Sequence, residues 1–234
     1  MEPHEIGIPP TPRGRVAERG LRGMLVRRLL WVPSLRGLLL LFLVLCLGLM
    51  VFVRGIHPFL AIHRPHNRGV LIVEGWLSDE DSEQVAELYQ RGQYVALLTT
   101  GGPIHALSRR AAHGTYAQLS ANQLAKLGIT PEEIFVIPAP QADRDRTLAA
   151  ARALGIWWAA EGAGWAYADL VTAGPHARRS WILYRSVLDE QVDLGVVGLQ
   201  GRSYDAAQWW KTSAGFRTVF AEVIAYAYVK VTGY

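Results

Sequence analysis

Seventeen consecutive residues, Gly37–Val53, carry no charge and read GLLLLFLVLCLGLMVFV. A run of that kind cannot be hidden in a small water-soluble core, so it fixes the setting for the rest of the chain. At about 1.5 Å per residue it spans roughly 26 Å, a little short of a hydrocarbon core near 30 Å, and Arg36 and Arg54 are expected to snorkel at its two edges. Seven arginines (Arg13, Arg15, Arg19, Arg22, Arg27, Arg28, Arg36) against three acids (Glu2, Glu5, Glu18) precede the run. That bias holds an N-terminus in the cytoplasm. The expected arrangement is a single-pass protein of the cytoplasmic (inner) membrane, whose partner through residues 37–53 is the lipid bilayer: a tail over 1–36, an anchor over 37–53, a linker over 54–68 and an extracytoplasmic domain over 69–234. A cleavable signal peptide is the competing reading, but it needs a shorter apolar core and small residues at the cut, where Arg54-Gly55-Ile56-His57 stands here. Cys46 follows Leu45 in mid-run, which suits an apolar filler better than a lipidation site.

The net charge of +4 belongs to the tail, because residues 37–234 hold 17 basic and 17 acidic side chains. A neutral domain lacks the basic face that nucleic acid demands, so no nucleic-acid partner is expected. The roughly 170 residues beyond the anchor suffice for one core. They contain no cysteine and seven of the eight tryptophans, so packing rather than disulfides must stabilise them. Met1–Arg28, rich in Pro, Gly and Arg, reads as disordered.

From Gly69 onward short β-branched runs alternate with helical patterns, the rhythm of βαβ units. Strands are expected at Val70–Val73, Val95–Thr100, Ile134–Ile137, Leu170–Ala173 and Val192–Leu199. Helices are expected at Asp81–Arg91 (capped by Ser78 or Asp79), Thr115–Leu127, Arg146–Glu161, His176–Leu188 and Trp209–Val231. The fold class is therefore α/β, a Rossmann-like open, mainly parallel sheet of about five strands with flanking helices. The last helix carries Lys211, Arg217, Glu222 and Lys230, which argue against a second span, and its stripe Phe216, Val219, Phe220, Val223, Ala227, Val231 is expected to pack on the sheet. His57, His63 and His66 in the linker lack the cysteine or carboxylate set of a metal site, so no metal ligands are assigned.

In such sheets ligands sit outside the carboxyl ends of the strands. Those ends deliver Glu74, Gly75, Trp76 and Asp79; Thr99, Thr100, Gly101 and Gly102; Thr172, Gly174 and His176; and the loop residues Asp143 to Thr147. Thr100-Gly101-Gly102 has the hydroxyl and open backbone to cradle an anion, although glycines are also ordinary turn residues. His176, followed by Arg178 and Arg179, suits acid–base work beside an anion. Arg144 and Arg146 are equally able to pair with Asp143 and Asp145 on the surface. Glu74 interrupts an apolar strand, where a lone carboxylate is costly without a partner, and Arg179 or Arg146 is the expected one. Trp76 would wall the pocket. The decisive geometric question is whether Glu74, His176 and Arg179 meet in one cleft beside Gly101-Gly102.

VLIVEGW, the helix ending in Arg91-Gly92, the TTGG turn, Arg144-Asp145-Arg146-Thr147 and the strand into TAGPHARR together resemble the DUF218 family (ElyC/SanA/YdcF-like), most closely its VEGW-type branch, over Gly69–Tyr234. The resemblance implies a Rossmann-like domain, often tethered to the inner membrane and linked to envelope biogenesis and peptidoglycan or lipid-carrier metabolism. It points to Gly101, Gly102, Thr147, His176 and Arg179 as pocket positions. The chain has Glu74-Gly75-Trp76 where many members have a Gly-rich first loop. The resulting expectation is His176 and Glu74 as proton-moving groups, with Thr100, Gly101, Gly102, Arg146, Thr147, Arg179, Trp76 and Asp79 holding an anionic, phosphate-bearing lipid-linked substrate. A nucleotide or S-adenosylmethionine module, and a noncatalytic envelope scaffold docking through Trp209 and Trp210, remain open alternatives; cofactor identity and oligomeric state are unassigned.

Overall fold

The computed structural model describes residues 33–234 apart from positions 106, 109, 163, 189, 191, 202 and 234, with short extended pieces at 19–20 and 25–26. Most of the tail expected at residues 1–36, including the segment read as disordered, lies outside the described residues. The chain divides into two units, Met1–Gly48 and Leu49–Tyr234. Helix α1 (Leu35–Leu60) is long and apolar enough to cross a membrane, and its side chains from Leu38 to Phe52 are exposed. It runs seven residues beyond the uncharged segment, through Pro58, so the first part of the expected linker is helical. Tertiary packing explains the extension: Leu60 is fully buried with Trp209 and Val219, and Val53 and Ile56 pack around them.

In the second unit the order is β1 (His63–Arg64), β2 (Arg68–Glu74), α2 (Asp79–Arg91), β3 (Gln93–Gly101), α3 (Tyr116–Lys126), β4 (Ile134–Pro138), α4 (Arg146–Glu161), β5 (Tyr167–Ala173), α5 (Ala177–Arg185), β6 (Asp193–Leu199) and α6 (Ser213–Thr232). The sheet has six strands in the order β1-β6-β5-β2-β3-β4. All neighbours are parallel except β1, which pairs antiparallel with the outer edge of β6. The sheet of about five strands is present, and the two-residue β1 is added at its edge: a His-Arg dipeptide has no alternation to announce it, and only the open edge of β6 makes it a strand.

Alternation along the strands builds two cores. Val70, Ile72 and Leu98 face Ala151, Leu154, Trp158 and Tyr184 of α4 and α5. Leu71, Val73 and Leu97 face Val85, Ala86, Tyr89 and Leu124 of α2 and α3. Helix starts follow local chemistry. Ser78 Oγ accepts from the N–H of Asp81 at 3.1 Å while the Asp81 carboxylate accepts from the N–H of Ser78 at 3.2 Å, a reciprocal capping box. Thr115 caps α3 in the simpler manner, accepting from the N–H of Gln118.

Chain order moves outward from β2 through β3 to β4, then α4 returns the chain to the other side of β2 as β5. The carboxyl ends of β2 and β5 therefore flank the point where the strand order reverses, the place where such sheets open a crevice.

At the opposite end Asp169 is fully buried and accepts from the N–H groups of His66 (2.8 Å) and Asn67 (2.8 Å) and from the Tyr94 hydroxyl (2.7 Å). This carboxylate ties the incoming linker to β3 and β5, and burial with the Asp169 hydrogen bond pushes the Tyr94 phenol far above its usual value. Asp169→Ala strands three donors in the interior and is expected to cost about 3 kcal/mol, read as a fall in the urea midpoint.

Two expectations for the C-terminus are corrected. The helix read over Trp209–Val231 is broken at Thr212, whose hydroxyl caps α6 by accepting from the N–H of Gly215 at 3.1 Å, after a separate 3-10 segment Ala206–Lys211. Nor does α6 lay its stripe on the sheet. Val219, Val223 and Tyr226 meet the end of α1, Val229 meets Leu148 of α4 and Leu183 of α5, and Phe216, Phe220 and Val231 are exposed.

Candidate functional site

The crevice at the strand reversal is a cleft of about 930 Å³. Glu74, His176 and Arg179 all line it, together with Gly101 and Gly102, so the three side chains do converge. The partnerships within it differ from those expected.

Glu74 ends β2 at 2% exposure. Among the described residues no arginine meets it. Its carboxylate accepts from the Thr172 hydroxyl and from Ser180 Oγ (3.1 and 3.2 Å), and His176 Nε2 lies 3.8 Å away. Arg179 is instead turned to Glu222 of α6, donating from Nε to Oε2 at 2.9 Å and from Nη2 to Oε1 at 3.2 Å. The same carboxylate receives His176 Nδ1 at 2.7 Å. Burial by itself would raise the Glu222 carboxyl, but the hydrogen bonds and charges of His176 and Arg179 outweigh it and hold the group at about 2.

The bond to Glu222 puts a proton on Nδ1 and leaves Nε2 facing the cleft, where Thr147 Oγ1 stands 3.4 Å away. Arg179 Nη2 lies 3.2 Å from Nε2, the ring nitrogen left to accept, and the Trp76 indole meets the imidazole edge-on at 5.0 Å and lines the cleft. His176, Ser180 and Tyr184 follow at four-residue spacing, so one face of α5 supplies the imidazole and two hydroxyls. Tyr184 OH and Thr100 Oγ1 are 2.7 Å apart. Burial and the Glu74 charge push the Tyr184 phenol well above its usual value.

Thr100 is buried at 1% and engaged with Tyr184, so its hydroxyl is not free for a ligand. Gly101 has a packing reason: φ is 155°, and an added Cβ would come within 2.7 Å of Tyr116 Cβ. Gly75 is pressed by the same turn of α3: a Cβ added there would come within 2.4 Å of the Tyr116 carbonyl oxygen. Asp79 does not line the cleft; at the start of α2 its carboxylate holds Arg110 Nη2 at 3.3 Å, and Arg110 is the one that reaches the cleft wall. Arg178 turns away, its guanidinium 4.0 Å over the Phe59 ring.

Beside His176 stands the start of α4, to which Thr147 belongs. Asp145 adopts the left-handed conformation (φ 53°) and offers no side-chain cap, so the first N–H groups of α4 are left to other acceptors. Arg144 and Arg146 stand on this lip, and among the described residues neither has an ion-pair partner, so the surface pairing with Asp143 and Asp145 does not form. An anion placed there would meet a positive helix end and two guanidinium groups, with His176 beside it.

Glu222 is the main residue that sequence reasoning passed over. Its signal was present: it is the sole acid in the apolar α6, the same anomaly that singled out Glu74. Among the described residues no group of His, Cys, Asp and Glu is arranged to hold a metal ion. The fold and site define a class, an α/β domain behind an apolar N-terminal helix, with a carboxylate-held imidazole facing an uncapped helix start. Comparison of the chain with protein-family models and with curated proteins gives no match.

Proposed function

We propose that the protein is a membrane-anchored extracytoplasmic domain of cell-envelope biogenesis that binds and processes an anionic, phosphate-bearing lipid-carrier precursor. The observation that carries this reading is the pairing across one cleft of an uncapped helix start flanked by Arg144 and Arg146 with an imidazole whose Nδ1 is bound to Glu222. The α4 N–H groups, Arg144, Arg146 and Gly102 hold the phosphate. Water attacks the terminal phosphorus as its bond to the bridging oxygen breaks; His176 Nε2 delivers a proton to that leaving oxygen, the water's surplus proton passes to solvent, and Glu222 keeps the ring oriented. Glu74 acts through its neighbours: its carboxylate fixes Thr172 and Ser180 beneath the ring. The arginine-rich first 36 residues support an N-terminus inside and the domain outside, and the resemblance to the DUF218 family supports the envelope setting.

Calorimetry of the full chain in nanodiscs with a polyprenyl diphosphate tests this. Micromolar binding is expected, falling by about tenfold or more in the Arg144→Ala/Arg146→Ala variant as two charge-assisted contacts disappear. Absence of heat with wild-type protein, or equal affinity in the variant, rules out the phosphate reading.

A further inference from the structure

Helix α6 has three faces with different duties. Thr218, Ala221, Glu222 and Ala225 line the cleft. Val219, Val223 and Tyr226 pack against the end of α1, where the Phe59 and Tyr226 rings meet edge-on at 5.4 Å. The third face, Phe216, Phe220, Ile224, Tyr228 and Val231, is solvent-exposed (48, 39, 69, 50 and 86%). At 3.6 residues per turn these five side chains fall within an arc of about 120°, an apolar stripe along the helix with Arg217 at its N-terminal end. Phe216 and Phe220 stack with their centroids 4.4 Å apart.

Two observations say what covers it. The stripe lies beside the face of α6 that grips α1, and its first residues, Phe216 and Phe220, lie against Trp209, whose indole N–H is donated to the Val53 carbonyl, so it begins at the part of α1 where Val51 and Phe52 are exposed. The charges are one-sided as well: the only acid of α6, Glu222, is turned inward to 14% exposure, leaving Arg217 and Lys230 as the exposed charges of the helix. An apolar stripe edged by cations suits a bilayer with anionic headgroups.

We infer that α6 is an interfacial helix whose Phe216–Val231 stripe is immersed in the leaflet from which α1 emerges, setting the cleft at headgroup level. This rests on α1 crossing the membrane and not on the substrate proposed for the cleft.

The test uses the full chain with Cys46→Ser, reconstituted in vesicles of phosphatidylcholine and phosphatidylglycerol. Single cysteines at Phe220, Ile224 and Gln118 carry an environment-sensitive fluorophore, and lipids spin-labelled near the headgroup quench it. Quenching at 220 and 224 is expected to exceed that at 118 by about threefold, as for a helix buried ~5–10 Å into the interface. Ile224→Glu, a change at an exposed position, should abolish the excess at 220 while leaving the thermal midpoint in place. Equal quenching at all three positions overturns the proposal. So does protection without lipid quenching accompanied by disulfide cross-linking at 224, which would make a second copy the occupant.

Discussion

His176→Ala is expected to lower turnover of a polyprenyl diphosphate by about 100-fold or more, the usual contribution of a positioned general acid or base. The geometry predicts where the loss falls. The phosphate contacts come from α4, its preceding loop and Gly102, so KM should change little and the effect should sit in kcat. The fold should survive, because Arg179 keeps both of its bonds to Glu222 when the imidazole is removed. Phosphate release, followed alongside the thermal midpoint, separates the two effects. Unchanged turnover in a folded variant would remove His176 from the chemistry, and with it the reason for an acid–base reading of the cleft.

Glu222→Gln should show itself first in stability. The carboxyl sits at about 2 in the folded protein against 4.5 unperturbed, a difference that corresponds to about 3 kcal/mol. Its folded value is depressed, so the unfolded chain binds the extra proton between those two pH values. The stabilisation is complete above about 4.5 and disappears as pH falls toward about 2. Urea midpoints measured from pH 7 to pH 2.5 should fall steeply at the acid end in wild type. In the variant they should start about 3 kcal/mol lower and lack that acid limb, since Gln has no proton to gain and leaves Arg179 without a counter-charge. Superimposable curves would mean that the Glu222 cluster is not holding α6 to α5.

The elements that were legible in advance are those in which local signals agree. The four inner strands show as short β-branched runs closed by Gly or Pro, α4 has the bounds its pattern predicts, and Ser78, one of the two candidate caps, is the residue that starts α2. Glu74 and His176 were found because polar groups at strand ends have few reasons to be there. Their partners were not found. Arg179 or Arg146 is the partner that charge alone suggests for Glu74, whereas the folded chain gives Arg179 to Glu222, 43 residues away, and satisfies Glu74 with two hydroxyls. Charge complementarity leaves the choice of carboxylate open, and only three-dimensional distance makes it. The glycines of TTGG looked like an anion cradle, yet Gly101 is required by the close approach of Tyr116. Trp209, read as a docking residue, is 2% exposed and donates its indole N–H to the Val53 carbonyl.

By itself the sequence determined a long uncharged helix, a parallel α/β sheet and which strand ends would be polar, because periodicity and turn chemistry act over a few residues. The tertiary structure alone decided that α6 turns its acid toward the cleft and an apolar stripe outward. Both faces of that helix satisfy the same period, and only the surfaces offered by α1 and α5 choose between them.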